Sequence, residues 1–207
     1  MEPLTKILSA SVELFRQYGF KTITMDDIAR RAGISKKTLY QHFANKNEVV
    51  SESVNFYKCR MTEQCDDLIK GAENAVEALV RTSKMIEVTY KNINPLSMME
   101  MQRFFPEAFE MFRNGLLQRD LEMLRDNMEQ GVREGYYRED LNADLMARYR
   151  LEVSLLMFQP NLLVNERADL MMVSKEIFEH FLYGIFSAKG LKLYEKNKDK
   201  YLKLDLK

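Results

Sequence analysis

From Leu4 to the end of the chain, apolar side chains recur every three or four positions. Only eight glycines and four prolines stand among the 207 residues to interrupt them. A helix turns once in about 3.6 residues, so this spacing lays apolar positions along one face; glycine and proline are what break or end such a face. No stretch alternates convincingly with the period of two that a half-buried strand needs. The pattern predicts an all-α fold of about nine helices, in a chain long enough to bury a real core.

The punctuation marks the elements. Leu4, Ile7, Leu8, Leu14, Phe15 and Tyr18 share a helical face that Gly19 ends. Thr24 offers a cap oxygen with Asp27 three residues on, Ile28, Ala29 and Ala32 form the next buried stripe, and Gly33 breaks it. Ser35 caps a short helix running to Phe43, and Asn45 with Glu48 opens a long one over 46–69. Further helices are expected over 75–92, from Ser97 to just before Pro106, over 106–134, over 143–158 and over 167–188. The tail GLKLYEKNKDKYLKLDLK is Lys-rich and is expected to be a frayed helix.

Cys59 and Cys65 lie on one expected helix, about 600° apart around its axis, so they cannot bridge, and a reducing compartment follows. The first residues lack a basic stretch followed by an unbroken apolar block, and no apolar run approaches the roughly 18 residues that span a bilayer. A cytoplasmic protein with no membrane partner is expected.

Acidic and basic side chains balance at 31 each, but residues 1–60 carry ten basic and six acidic ones. A basic head on an acidic remainder suits a polyanion partner for the head alone. The stretch TMDDIARRAGISKKTLYQHFANKNE explains how the head would meet it. Two short helices can cross steeply when the crossing residue is small and the turn permits a left-handed conformation. Ala29 and Gly33 supply these, Ile34 fills the space under the turn, and Leu39 with Phe43 anchors the second helix. With those two inward, Lys37 and Gln41 point outward, Lys36 and Tyr40 occupy one flank, and Thr38 and His42 the other. Lysine meets guanine acceptors, glutamine pairs with adenine, and hydroxyls donate to phosphates, so this surface is shaped for the major groove of duplex DNA.

ILSASVELFRQYGFKTITMDDIARRAGISKKTLYQHFANKNEVV, residues 7–50, resembles the DNA-binding head of the TetR (tetracycline-repressor) family. The resemblance implies a homodimeric, ligand-responsive transcription factor, usually a repressor, acting on a palindromic operator. Its three head helices are joined by a linking helix to a larger helical body that binds an effector. The expected boundaries are 1–48 for the helix-turn-helix domain and 49–207 for the effector-binding and dimerisation domain. By position, Thr24 and Thr38 resemble phosphate-binding residues, and Lys46 matches a phosphate-contacting lysine. Lys36, Lys37, Tyr40, Gln41 and His42 match recognition-helix positions, and Ser35 at its cap completes the set. Where family members often carry glycine or proline after the first lysine, this chain has Lys37, which adds charge. In the body, only the fragments GYYREDLNADLMAR and GIFSAKGLKLYEK are similar to family segments, so no ligand-binding residue carries over.

For the body the composition is the guide. Methionines and aromatics crowd the middle of the chain: Met85, Tyr90, Met101, Phe104, Phe105, Phe109 and Phe112. Adaptable side chains of this kind line apolar effector pockets, and equally fill ordinary cores. With few basic residues nearby, namely Lys91, Arg103 and Arg113, a pocket here would suit a small, largely apolar effector. The helices at 143–158 and 167–188 are apolar beyond one face. Tyr149, Val153 and Leu156 on the first, with Val173, Ile177 and Phe181 on the second, are the expected dimer interface, pairing as a four-helix bundle. His180 reads as a core or interface histidine. Two histidines far apart, no glycine-rich phosphate loop and no metal-ligand spacing argue against an all-helical enzyme, so no catalytic residue, cofactor or metal is expected. A helical adaptor whose head binds protein is the remaining rival, and salt-dependent binding to duplex DNA separates the two.

Overall fold

The computed structural model describes residues 2–90, 94, 96–156 and 170–203; the side chains of Tyr90, Leu117, Leu155, Leu156, Leu170 and Met171 lie outside that description. The described chain is all-α, as the spacing predicts. In order it forms α1 (Pro3–Tyr18), α2 (Met25–Ala32), α3 (Lys36–His42), α4 (Lys46–Lys70), α5 (Ala75–Tyr90), α6 (Ser97–Phe104) and α7 (Pro106–Gly115). A π-helical turn (Leu116–Asp120) then leads to α8 (Leu121–Arg133), α9 (Ala143–Leu156), α10 (Leu170–Ile185) and α11 (Ala188–Leu202). None of the described helices is long and apolar enough to cross a membrane.

Packing divides the chain into two compact units. One comprises Met1–Thr62 and Asn92–Gly115; the other comprises Glu63–Lys91 and Leu116–Lys207. The first holds α1 to α3, the start of α4, and α6 with α7. Its core is built from Ile7, Leu8 and Phe15 of α1, Ile28 and Ala29 of α2, and Leu39 and Phe43 around α3. Val49, Val50 and Val54 of α4 join them, as do Met101, Phe105 and Ala108 from the α6–α7 segment. Leu4 and Tyr18, read as part of the inward face of α1, are exposed, because each lies at an end of the helix where no neighbour covers it. The end of α1 is closed from a distance: Asn94 N–H donates to the Arg16 carbonyl at 2.7 Å and Ser97 Oγ to the Phe15 carbonyl at 3.2 Å.

The second unit has its own core, from Val76, Leu79 and Val80 of α5, Met128 of α8, Phe181, Leu182 and Ile185 of α10, and Tyr194 and Tyr201 of α11. Three expectations change here. The helix expected over 106–134 is continuous but loosens into the π turn at Leu116–Asp120, a local insertion that periodicity does not register. The helix expected to reach 188 ends at Ile185. There Arg138 N–H takes the Ile185 carbonyl at 3.0 Å, Ser187 N–H donates to the Tyr136 carbonyl at 2.9 Å, and Ser187 Oγ caps α11 through Gly190 N–H at 3.1 Å. The tail does not fray as far as Leu202: Tyr194 and Tyr201 bury their rings, and Lys198–Glu179 at 2.7 Å and Lys200–Glu73 at 3.0 Å tie α11 to α10 and to the loop before α5, while residues 204–207 lie outside the described residues. The expected residues 157, 158 and 167–169 of the flanking helices lie outside the described residues.

The two body fragments singled out in the sequence meet one another. Besides the bonds just given, Ser187 Oγ donates to the Gly135 carbonyl at 2.7 Å, and Lys189 Nζ donates to the Glu134 carbonyl at 2.7 Å while lying over the Tyr136 ring. A Cβ at Gly190 would collide with the Tyr136 carbonyl, so only glycine lets the fragments pack this closely.

Candidate nucleic-acid interface

The turn between α2 and α3 takes the form its residues demand. Gly33 sits at φ 69° and ψ 34°, left-handed backbone that costs glycine nothing. Its N–H donates to the Arg30 carbonyl at 3.2 Å, and Ile34 N–H donates to the Ala29 carbonyl at 3.0 Å, closing the end of α2. Ile34 packs half-buried beneath the turn, and Leu39 is completely buried, so α3 is fixed by its inner face.

Both helices of the motif are capped from within. Thr24 Oγ1 accepts from Asp27 N–H at 3.2 Å, and Thr24 N–H donates to Asp27 Oδ2 at 3.0 Å, a reciprocal capping box. The Thr24 hydroxyl, which donates to Asp27 Oδ2 at 2.6 Å, and then the Thr24 N–H, more than the neighbouring Arg30, hold the Asp27 carboxyl below its ordinary value of 3.8. At α3, Thr38 N–H donates to Ser35 Oγ at 3.0 Å, and the two hydroxyls share a hydrogen bond of 2.8 Å. Thr24 and Thr38, both expected at phosphate, are thus tied into the caps of α2 and α3, the second of them made by Ser35 as expected.

The outward face of α3 is as the helical wheel places it. Lys36, Lys37, Tyr40, Gln41 and His42 are all exposed, with 46% of the large Tyr40 side chain accessible. Lys36 is not idle there: its ammonium pairs with Asp26 Oδ1 at 2.7 Å, and that hydrogen-bonded contact raises its pKa. Sequence reasoning passed over Asp26, which lies ten residues away and approaches only because the two helices cross. Lys46 departs furthest from expectation. It is half-buried, its Nζ donates to the Lys21 carbonyl at 3.2 Å, and it lies 5.4 Å from the Phe105 ring centroid. Burial pushes its pKa down, partly countered by the charges of Glu100 and Asp27.

The candidate effector residues are divided between the two units. Met85 is buried in the second unit, and the side chain of Tyr90 lies outside the described residues. Met101 and Phe105 belong to the core of the first unit, with Phe109 and Phe112 packed against it, because α6 and α7 cover the head's apolar face. Phe104 is exposed beneath the Lys21 and Arg103 cations. A cleft of about 250 Å³ opens instead within the second unit, among α5, α9, α10 and α11. Val80, Ile86, Phe178, Tyr194 and Leu202 form its apolar wall, and Lys84, Glu87, Arg150, Lys175 and Glu179 its polar one. None of the described candidates is among its lining residues.

Of the candidate interface residues, Tyr149 is 46% exposed, Val153, Val173 and Ile177 are half-buried, and the Leu156 side chain lies outside the described residues. Phe181 is buried in its own unit and stacks on Tyr149 with centroids 6.1 Å apart. Leu145, Met172 and Tyr183, not picked from the sequence, are more than half exposed on the same two helices. Their signal was present but weak, since each sits beside residues that could equally have been inward. His180 is exposed on α10.

Residues 7–52 match the sequence pattern described as "Bacterial regulatory proteins, tetR family". Over 148 residues the chain is 28% identical to the HTH-type transcriptional repressor KstR2 of Mycobacterium tuberculosis, covering 70% of this chain and 74% of that one. Among solved structures, a transcriptional regulator from Cytophaga hutchinsonii superposes with a TM-score of 0.70 at 20% identity, over 89% of this chain and 98% of the other. The transcriptional regulator FadR from Bacillus subtilis, solved in complex with stearoyl-CoA, superposes with a TM-score of 0.64 at 19% identity, over 88% and 99%. The two structural likenesses speak for the fold alone.

Proposed function

We propose, because the chain belongs to the TetR family of helix-turn-helix transcriptional regulators, that it is a ligand-responsive repressor acting as a homodimer on a palindromic duplex operator. Residues 1–48 would be the DNA-reading domain and 49–207 the effector-binding and dimerisation domain. The observation that carries the reading is the α3 face: five exposed polar or cationic side chains on a helix whose inner side is locked by Leu39 and Phe43. A rigid anchor with a free reading face is what base recognition requires, and no comparable face is needed to stabilise the fold. The exposed apolar side chains of α9 and α10 support a second copy as the partner of the body.

The effector would be small, with an apolar body and one anionic group. The cleft in the second unit supports this, since Phe178 and Val80 offer apolar contact beside the Arg150 guanidinium and the Lys175 ammonium, Lys84 being paired with Glu87 at 2.8 Å. An effector favouring a head spacing that does not match the half-sites must weaken operator binding by linkage.

The test is binding to a duplex selected by the protein from a randomised DNA library, with scrambled duplex in parallel. Tyr40→Ala and Lys46→Ala weaken binding to all sequences, whereas Lys37→Ala and Gln41→Ala relax preference at particular base pairs, each by about 1–3 kcal/mol of discrimination. Unchanged binding by all four variants overturns the assignment. Lipophilic carboxylates are expected to raise the melting temperature and release the duplex, where sugars and nucleotides do neither.

A further inference from the structure

The sequence places Lys46 at phosphate, yet the structure gives its ammonium other company. The α1–α2 turn is bracketed at the Lys21 peptide: its N–H donates to Glu100 Oε2 at 3.0 Å, and its carbonyl accepts from Lys46 Nζ at 3.2 Å. Glu100 belongs to α6, 79 residues further on, and comes so close to the turn that a Cβ at Gly19 would overlap its carboxylate. Gly19 also has φ 84°, so two separate constraints hold glycine there. The same helix and the residue after it bring two aromatic faces. The Lys21 ammonium lies 5.1 Å from the Phe104 ring centroid, and the Lys46 ammonium 5.4 Å from that of Phe105.

A carboxylate and the faces of two aromatic rings are the groups inside a protein that most nearly replace a phosphate for an ammonium ion. Phe105 is buried and has a clear packing role. Phe104 is 41% exposed, which core packing does not explain, and Glu100, besides holding the Lys21 peptide, sets a negative charge that acts on the Lys46 ammonium. We propose that Glu100 and Phe104 form an internal brake on DNA binding, the Phe104 ring holding the Lys21 ammonium and the Glu100 charge acting on Lys46, so that a phosphate must displace or work against them. This rests on reading the head as a DNA-binding domain. It makes α6 a contributor to operator affinity although it carries no base-reading residue.

The carboxylate acts in two ways. Its charge repels an incoming phosphate, and its oxygen holds the turn in place. Glu100→Gln separates them, because the amide oxygen still accepts from the Lys21 N–H while the charge is gone. Phe104→Leu keeps an apolar side chain and removes the ring face. Both variants and the wild type would be titrated, as full-length protein, with a random-sequence duplex and with a duplex selected from a randomised library, between 50 and 300 mM salt, roughly the range over which phosphate contacts are screened.

Glu100→Gln is expected to bind both duplexes about threefold to tenfold more tightly at low salt, the gain shrinking as salt rises. Phe104→Leu is expected to bind more tightly with a salt slope steeper by about one, as Lys21 becomes available to a phosphate. A merely structural role for these side chains would weaken binding to both duplexes, or leave affinity and slope unchanged, and either result overturns the brake while the DNA-binding reading stands. A wild-type protein that binds neither duplex overturns both.

Discussion

The reading motif of the first unit and the start of α5 in the second are held in different ways. In the first, the reading motif is capped locally: Thr24 with Asp27, Ser35 with Thr38 and Asn45 with Glu48, each pair three residues apart. In the second, α5 also has a local cap, Glu77 N–H donating to Asn74 Oδ1 at 3.0 Å, but its first residue is held in addition from far along the chain. Ala75 N–H donates to Glu134 Oε2 at 2.9 Å, while the Ala75 carbonyl accepts from Asn127 Nδ2 at 2.9 Å and from the Tyr137 hydroxyl at 3.2 Å. Tyr137 is fully buried, its hydroxyl also reaches Asn127 Oδ1 at 3.0 Å, and burial pushes its pKa well above the ordinary tyrosine value. A recognition surface built on local caps keeps its geometry through neighbours in sequence. A junction tied by residues 52 to 62 positions away has geometry that belongs to the whole packed unit.

The contrast can be broken hardest at the anchor of α3. Leu39→Ala empties a completely buried site, and about 2–5 kcal/mol of stability is expected to go with it. Amide hydrogen exchange is expected to quicken across α1 to α3 and to change little in α8 and α11. Uniform acceleration through both units would instead mean that they open together.

Tyr137→Phe probes the other unit. It keeps the ring but removes the hydroxyl proton shared by Asn127 Oδ1 and the Ala75 carbonyl in a partly buried setting, at a cost of about 1–3 kcal/mol. Faster exchange is expected at α5 and α8, with operator binding by the head unaffected.

The smallest effect is the cap of α2. Thr24→Ala costs about 1 kcal/mol and loosens the first turn, seen as local exchange at Asp27 and Ile28. The same cap has a pH signature. Asp27 titrates below 3.8 in the folded chain, so its contribution is fully present above that value and is lost as pH falls through the lowered one. Acid titration of α2 exchange should show this loss in the wild type and not in Asp27→Asn.

What was legible in the sequence was whatever a few neighbouring residues decide among themselves. Gly33 in a left-handed turn, Thr24 and Ser35 as caps, Leu39 inward and Lys37 and Gln41 outward all follow from helical period and backbone sterics, and the structure has them as expected. Apolar periodicity states that a face is covered but not by what. Met101 and Phe105 show this: the sequence makes them candidates for a pocket wall, and packing makes them part of the core beneath the head. Tyr194 and Tyr201 make a Lys-rich tail into a helix that holds, because α5 and α10 offer them an apolar surface and Glu73 and Glu179 answer the lysines. Lys46 was placed at phosphate by its position alone; its neighbours Lys21, Glu100 and Phe105 are gathered from a turn and another helix, and only folding could bring them to it.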